Sequence, residues 1–266
     1  MLFTSPGQIF CNICGLNIYY YGIILAIAIC AGVIFSDWIG TKYFNLKKET
    51  IIDLAPYLII FGIIGARLYY CILDYNFYLR FPTEIFALRH GGISIHGAIF
   101  GGIIGLIIFA KKHKLSVSNL MDVCAVSLPL AQAIGRWGNF FNSEAYGTPT
   151  NLPWGLYISP SYRQIPYLDY EFFHPAFLYE SFLDLIIFFI LLFLVSKQKL
   201  KKNGQLAFCY LILYSLARIL VEICRIDSVK YIFNIPVAIL MSVGIIIVSL
   251  FLLLKSFNSD KKDEEE

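Results

Sequence analysis

GGISIHGAIFGGIIGLIIFA, residues 91–110, carries no Asp, Glu, Lys or Arg. A helix crossing about 30 Å of hydrocarbon needs on the order of 20 mostly apolar residues, so this stretch is long enough to span a bilayer. Two further segments are as clear: residues 18–36, before which no charge occurs, and 231–254, uncharged throughout. Four others each contain charge, near 53–73 (with Arg67), 115–135 (with Asp122), 175–196 (with Glu180 and Asp184) and 204–224 (with Arg218 and Glu222). Pro129 and its polar neighbours allow the fourth span to be short or tilted. The expected count is therefore seven, plus or minus one. This predicts an all-α, polytopic integral membrane protein forming a single membrane domain over 1–266, with an outer loop at 136–174 and a charged tail at 255–266.

Composition agrees. Apolar and aromatic residues make up 58% of the 266 positions and charged residues only 15%, against roughly 25% charged in an average soluble domain. Mean hydropathy is +0.70. A soluble enzyme, a disordered chain and a fibrous protein are excluded, and a net charge of +3 gives no sign of a nucleic-acid partner.

Orientation follows from lysine, because cytoplasmic loops collect basic residues. Alternate loops hold Lys42, Lys47 and Lys48; Lys111, Lys112 and Lys114; Lys197, Lys199, Lys201 and Lys202; and Lys255, Lys261 and Lys262, leaving only Lys230 of the 14 lysines on the other side. The N-terminus is expected outside and the tail KSFNSDKKDEEE in the cytoplasm. The first span lacks a basic region before it and an A-x-A-like site after it, so it is not expected to be a signal peptide. Cys11 and Cys14 form a lone C-x-x-C outside the membrane, read as a disulfide or two free thiols and not as a metal site. The other five cysteines read as small hydrophobes. No internal repeat is visible, which weighs against a transporter of two inverted halves.

All seven arginines fall on the side opposite the lysine loops or in the outer half of a span: Arg67 and Arg218 within spans, Arg80, Arg89, Arg136 and Arg163 in loops, and Arg225 at a boundary. An arginine at membrane depth costs at least ~2.5 kcal/mol and marks a functional position by default. An internal ion pair is the plainer alternative for Arg218, since Glu222 lies four residues on along one helix face. Tyr214, Arg218, Glu222 and Arg225 nevertheless form a polar stripe with two cations per carboxylate. That surplus suits an anion such as a phosphate.

The densest polar cluster is GRWGNFFNSEAYG, residues 135–147. Gly135, Gly138 and Gly147 permit close backbone approach, Arg136 offers a forked donor, Asn139 and Asn142 add carboxamides, and Glu144 supplies a base or clamp. An ordinary Gly/Asn-rich turn with a snorkelling arginine would need neither two carboxamides nor a carboxylate. His96 stands near the outer end of the third span and is suited to accept a proton near neutral pH. Gly97, Gly101 and Gly105 recur along one face there, so a neighbouring helix can pack closely. His90 reads as interfacial. Ser94 and His96 do not face each other in a helix, which argues against a serine hydrolase. HPAFLYE, residues 174–180, opens the fifth span and places Glu180 in its outer part, while Tyr21 belongs to an aromatic belt unless its hydroxyl faces the site.

Together these motifs resemble the prolipoprotein diacylglyceryl transferase family of bacteria. GRWGNFFNSEAYG matches every fixed position of the family signature, roughly G-R-x-G-N-F-x-N-x-E-x-x-G. GGISIHG resembles its third-span motif, HPAFLYE its HP-x-x-LYE segment, Tyr21 and Gly22 its first-span motif, GARLYY its second-span motif and ARILVEICR its R-x-x-x-E-x-x-R helix. These cover nearly the whole chain in family order. Phe177 departs from the pattern, where the family often has Gln.

The resemblance implies transfer of a diacylglyceryl group from phosphatidylglycerol to the lipobox cysteine of a prolipoprotein, forming a thioether and releasing glycerol phosphate. It implies a multi-pass enzyme of the bacterial inner (plasma) membrane with its site toward the outer leaflet and neither metal nor organic cofactor. By similarity, His96, Arg136, Arg218 and Glu144 are catalytic candidates. Arg136, Asn139, Asn142 and Gly147 are expected to shape the headgroup site, with Tyr21, Arg67, Glu180, Glu222 and Arg225 contributing. Thiol activation by the arginine field alone, with His96 only positioning, fits the residues equally. A lipid or anion transporter could use the same arginines, and a lipid-binding scaffold is a third class, which leaves His96 and Glu144 without a task.

Overall fold

The computed structural model describes residues 3–87, 91–200, 202–226 and 231–265, with side chains as far as Phe257 in the last stretch. The expectations for Arg89, His90, Lys201 and Lys230 lie outside the described residues. In hydrocarbon, backbone N–H and C=O groups must be bonded within their own segment, so the apolar runs become helices. Seven of the described helices are long and apolar enough to cross a membrane: α1 (Tyr20–Tyr43), α2 (Thr50–Leu73), α4 (Ile95–His113), α5 (Val117–Asn142), α6 (Ala176–Ser196), α7 (Gln205–Glu222) and the Val237–Phe257 part of α8 (Val237–Glu265). A short helix, α3 (Tyr75–Arg80), follows α2.

Several boundaries differ from the sequence reading, each for a local reason. Helix α1 continues past residue 36 because Asp37 has a partner: its carboxylate accepts from the backbone N–H groups of Glu49 (3.0 Å) and Ile51 (3.1 Å). These groups sit at the start of α2, where a helix leaves N–H groups unsatisfied and favours negative charge. Helix α5 is not interrupted by Pro129 and runs on to Asn142, so the first half of the 135–147 motif is helical and not loop. The charged tail likewise continues α8 to Glu265.

The chain divides into two compact units, Val33–Val123 and the residues on either side of it, with the division falling inside α1 and α5. In the Val33–Val123 unit the dominant contact is α2 against α4. A Cβ added at Gly97 or Gly101 would collide with the backbone of Gly65 or Phe61, and one at Gly105 would lie 2.7 Å from the Tyr57 carbonyl oxygen. Small residues thus let the two helix backbones meet, the main source of helix association in a solvent as apolar as the side chains.

The other unit opens with a hairpin, β1 (Ile9–Ile13) and β2 (Leu16–Tyr19). Cys11 and Cys14 in this hairpin are free thiols. The connection after α5 is a folded cap with its own core. Strands β3 (Leu156–Tyr157) and β4 (Phe172–Phe173) pair antiparallel, and Tyr157 N–H donates to the Phe3 carbonyl (2.9 Å). Phe140, Tyr146, Leu156, Ile158, Phe173 and Phe177 form a buried cluster beneath them. Phe177, the residue at odds with the family pattern, is fully buried there, its ring 5.4 Å from that of Phe140. Helices α6, α7 and α8 pack in sequence, with a small ribbon, β5 (Tyr231–Ile232) and β6 (Ile235–Pro236), leading into α8.

Two neighbouring glycines separate packing from composition. Gly101→Ala should lower the thermal midpoint in detergent by the equivalent of about 1–3 kcal/mol of overpacking, whereas Gly102→Ala, where a Cβ meets nothing within 4 Å, should leave it unchanged. Equal midpoints would contradict the close α2–α4 contact.

Candidate active site

Three helices converge on one carboxylate. Helix α6 is tied to α5 by the Ser181 hydroxyl, which donates to the Ala133 carbonyl (2.8 Å). Helix α7 is tied to α5 by the Tyr210 hydroxyl, which donates to Gln132 Oε1 (3.1 Å). These bonds, made where no water competes, set the helices in register around Glu180. Arg136 Nη1 from α5 lies 2.7 Å from Glu180 Oε2. From α7, Arg218 Nη1 lies 3.1 Å from Oε1, and Arg225 Nη1, just beyond the helix end, lies 2.7 Å from the same oxygen. Arg218 Nη2 also pairs with Glu222 Oε2 at 2.7 Å.

Glu180 is 6% exposed, while the side chains of Arg136 and Arg218 keep 23% and 22% of their surface. The anchor is therefore buried and the cations partly open. Arg136, Glu180, Asp184, Tyr214 and Arg218, with Ala217 and Val221, line a small cleft. Three guanidiniums face two paired glutamates, so the ion-paired set retains one positive charge. Such a set is suited to hold an anion with forked, charge-assisted hydrogen bonds.

The rest of the 135–147 motif forms the end of α5. Ser143 takes a left-handed φ of 54° and Glu144 N–H returns to the Asn139 carbonyl (3.0 Å), closing the last turn. The exposed Glu144 carboxylate accepts from Asn139 Nδ2 (2.8 Å) and Asn142 Nδ2 (3.2 Å) on one oxygen, Oε1. Gly138 makes room for a ring: a Cβ there would lie 2.6 Å from Tyr21 Cδ2. At Gly147 a Cβ would lie 2.6 Å from the Cys224 carbonyl oxygen. Gly147 N–H donates to the His174 carbonyl (2.8 Å) and Thr148 N–H to that of Cys224 (2.7 Å). This backbone seam joins the motif to HPAFLYE and to the segment carrying Arg225. Gly135, in contrast, faces open space and accommodates no neighbour.

Two residues singled out from sequence belong to the Val33–Val123 unit. Arg67 is buried, but its fork is engaged by backbone: Nε donates to Ile85 O (2.9 Å), Nη1 to Gly91 O (2.6 Å) and Gly92 O (2.7 Å), and Nη2 to the carbonyls of Glu84 and Ala87. All five donors of a guanidinium are used. Arg67 therefore clamps the segment after α3. His96 lies in the first turn of α4, exposed, its ring 6.1 Å from that of Tyr69. Arg163 is likewise taken up by carbonyls, those of Ile158 and Leu168 (both 2.9 Å). Asp184 and the central position of Glu180 escaped the sequence reading. Their signal was two carboxylates four residues apart on one face of a membrane helix.

A multi-pass membrane protein with a buried arginine–carboxylate cluster open to an anion is the class that this fold and site define. The family model for prolipoprotein diacylglyceryl transferase matches residues 8–255. Relatives named phosphatidylglycerol–prolipoprotein diacylglyceryl transferase include one from Synechococcus elongatus, 46% identical over 230 residues (85% of this chain, 79% of the relative). Another, from a Nostoc species, is 44% identical over 232 residues (85% and 81%), and one from Prochlorococcus marinus is 40% identical over 240 residues (84% and 80%). The chain belongs to the prolipoprotein diacylglyceryl transferase family.

Two substitutions distinguish the kinds of charged residue. Glu180→Gln leaves three guanidiniums without their shared anion and should destabilise the fold by about 3–5 kcal/mol, read as a fall in thermal midpoint. Arg67→Lys retains the charge but not the fork, so chymotrypsin should cut faster at Phe86 in the clamped loop. Unchanged cleavage would refute the clamp.

Proposed function

We infer that the chain transfers the diacylglyceryl group of phosphatidylglycerol to the lipobox cysteine of a prolipoprotein. The observation that carries this reading is the convergence of Arg136, Arg218 and Arg225 on buried Glu180, in a chain of this family. In the reaction the cysteine sulfur bonds to the glyceryl carbon as that carbon's bond to the phosphate oxygen breaks. The thiol proton is transferred, and glycerol phosphate departs.

Two demands follow from the chemistry. The leaving phosphate needs its growing charge stabilised away from water, which pre-oriented guanidiniums do well. Pairing with Glu180 occupies only part of each fork of Arg136 and Arg218, and the remaining N–H groups are assigned to the phosphate. A thiol of pKa about 8.5 must also lose its proton to become the nucleophile. His96 is assigned that proton. Asn139 and Asn142 hold Glu144 at the motif's turn, where the three shape the headgroup site with Gly147. Tyr21 adds a ring beside Gly138, Glu222 orients Arg218, and Glu180 holds the arginines at their spacing. The site faces the outer leaflet of the bacterial inner membrane, with the N-terminus outside and the C-terminus cytoplasmic, as the segregation of lysine from arginine supports.

The deciding assay mixes purified protein with phosphatidylglycerol and a lipobox peptide and follows lipidated peptide and released glycerol phosphate together. Lipid flux without either product would favour a transporter. Arg136→Ala should lower kcat by at least about 100-fold, and His96→Gln by roughly 10²–10⁴-fold. Full activity in His96→Gln would move thiol activation to the arginine field. For topology, an impermeant thiol reagent applied outside should label Cys11 but not a cysteine introduced as Lys199→Cys; the reverse pattern would invert the orientation.

A further inference from the structure

The transfer reaction leaves Asp184 without a task. It lies on α6, one turn past Glu180, is 2% exposed and lines the arginine cleft. Its Oδ2 is buried without a hydrogen-bond partner among the described residues. The ionisable groups around it are Glu180 on its own helix, Arg136 from α5, and Tyr210, Tyr214 and Arg218 from α7. The cleft is tight, with room for about one water molecule (≈ 10 Å³).

Charge arithmetic makes this group decisive. With Asp184 ionised, Arg136, Arg218 and Arg225 are balanced by Glu180, Glu222 and Asp184, and the cluster is neutral. A phosphodiester binding to that set would bring one uncompensated negative charge to a low-dielectric site and face a carboxylate whose Oδ2 has no hydrogen-bond partner among the described residues, both strongly unfavourable. With Asp184 neutral, the cluster carries one positive charge, equal and opposite to that of a phosphodiester. A protonated carboxyl also gains an O–H donor, which a phosphate oxygen can accept.

We propose that Asp184 takes up a proton from solvent as the phosphodiester anion binds the open sides of Arg136 and Arg218 with one oxygen in the cleft, and releases it when the site empties. Asp184 is thus a positioning residue that sets the charge of the arginine cluster to match its ligand. The inference rests on the preceding reading that a phospholipid phosphate binds at this cleft.

The test measures equilibrium binding of fluorescent phosphatidylglycerol to the full chain in phosphatidylcholine nanodiscs between about pH 5.5 and 9.5, where the lipid phosphate stays ionised. Wild-type affinity should fall about tenfold per pH unit on the alkaline limb, with about one proton taken up per lipid bound there, followed with an indicator dye in weak buffer. Asp184→Asn should bind with a flat pH profile and no proton uptake, and Asp184→Glu should restore both. A flat wild-type profile without proton uptake overturns the proposal, as does uptake that survives in the Asn variant. Should Asp184→Asn fail to fold, wild-type proton uptake alone decides. Turnover of lipid and lipobox peptide by a wild-type protein whose binding ignores pH overturns this inference only. Absence of both turnover and lipid binding overturns the functional reading beneath it.

Discussion

A single carboxylate facing three guanidiniums is the constraint on which the site depends. Glu180 is buried in a membrane helix, and each arginine that reaches it comes from a different stretch of chain: α5, α7 and the segment beyond α7. In a low-dielectric setting neither sign is tolerable alone, so the helices carrying them must meet in one arrangement. The bonds from Ser181 to Ala133 and from Tyr210 to Gln132 supply the register that makes the meeting possible. The anchor is more deeply buried than the cations: Glu180 is hidden and fixed, and parts of Arg136 and Arg218 remain open.

The same residue type performs two different jobs in this protein. Arg67 and Arg163 direct their forks at backbone carbonyls and hold loops, while Arg136, Arg218 and Arg225 meet a carboxylate. A planar fork that cannot lose its proton satisfies loop carbonyls as readily as it binds phosphate. The number of arginines in a membrane protein therefore says little about the size of its anion site. Their partners do.

Much of the site was legible because it rests on local chemistry. Residues 135–147 concentrate glycine, carboxamide, arginine and a carboxylate, and the stripe from Tyr214 to Arg225 has helical spacing, so both could be read from order alone. The glycine face of α4 was legible for the same reason, although its partner, α2, was not named by any sequence pattern. Gly135 shows the limit: it reads like Gly138 and Gly147 but faces open space, since a missing Cβ matters only where a neighbour arrives. The extension of α5 through Arg136 to Asn142 was also hidden. Polar residues there read as loop, and the helix continues because Arg136 has a buried partner on α6 and the rings of Phe140 and Phe177 pack together.

Sequence by itself determined the mostly helical membrane class, the seven apolar spans and the family signature, because hydrocarbon thickness and backbone hydrogen bonding leave few alternatives to a long apolar helix. It could not decide which charges neutralise one another. Arg67 and Arg218 are alike as single charges within spans, yet one closes on a loop and the other on Glu180 and Glu222. Only the tertiary structure settles that, because Coulomb energy and hydrogen bonding depend on separations of a few ångströms between helices distant in sequence.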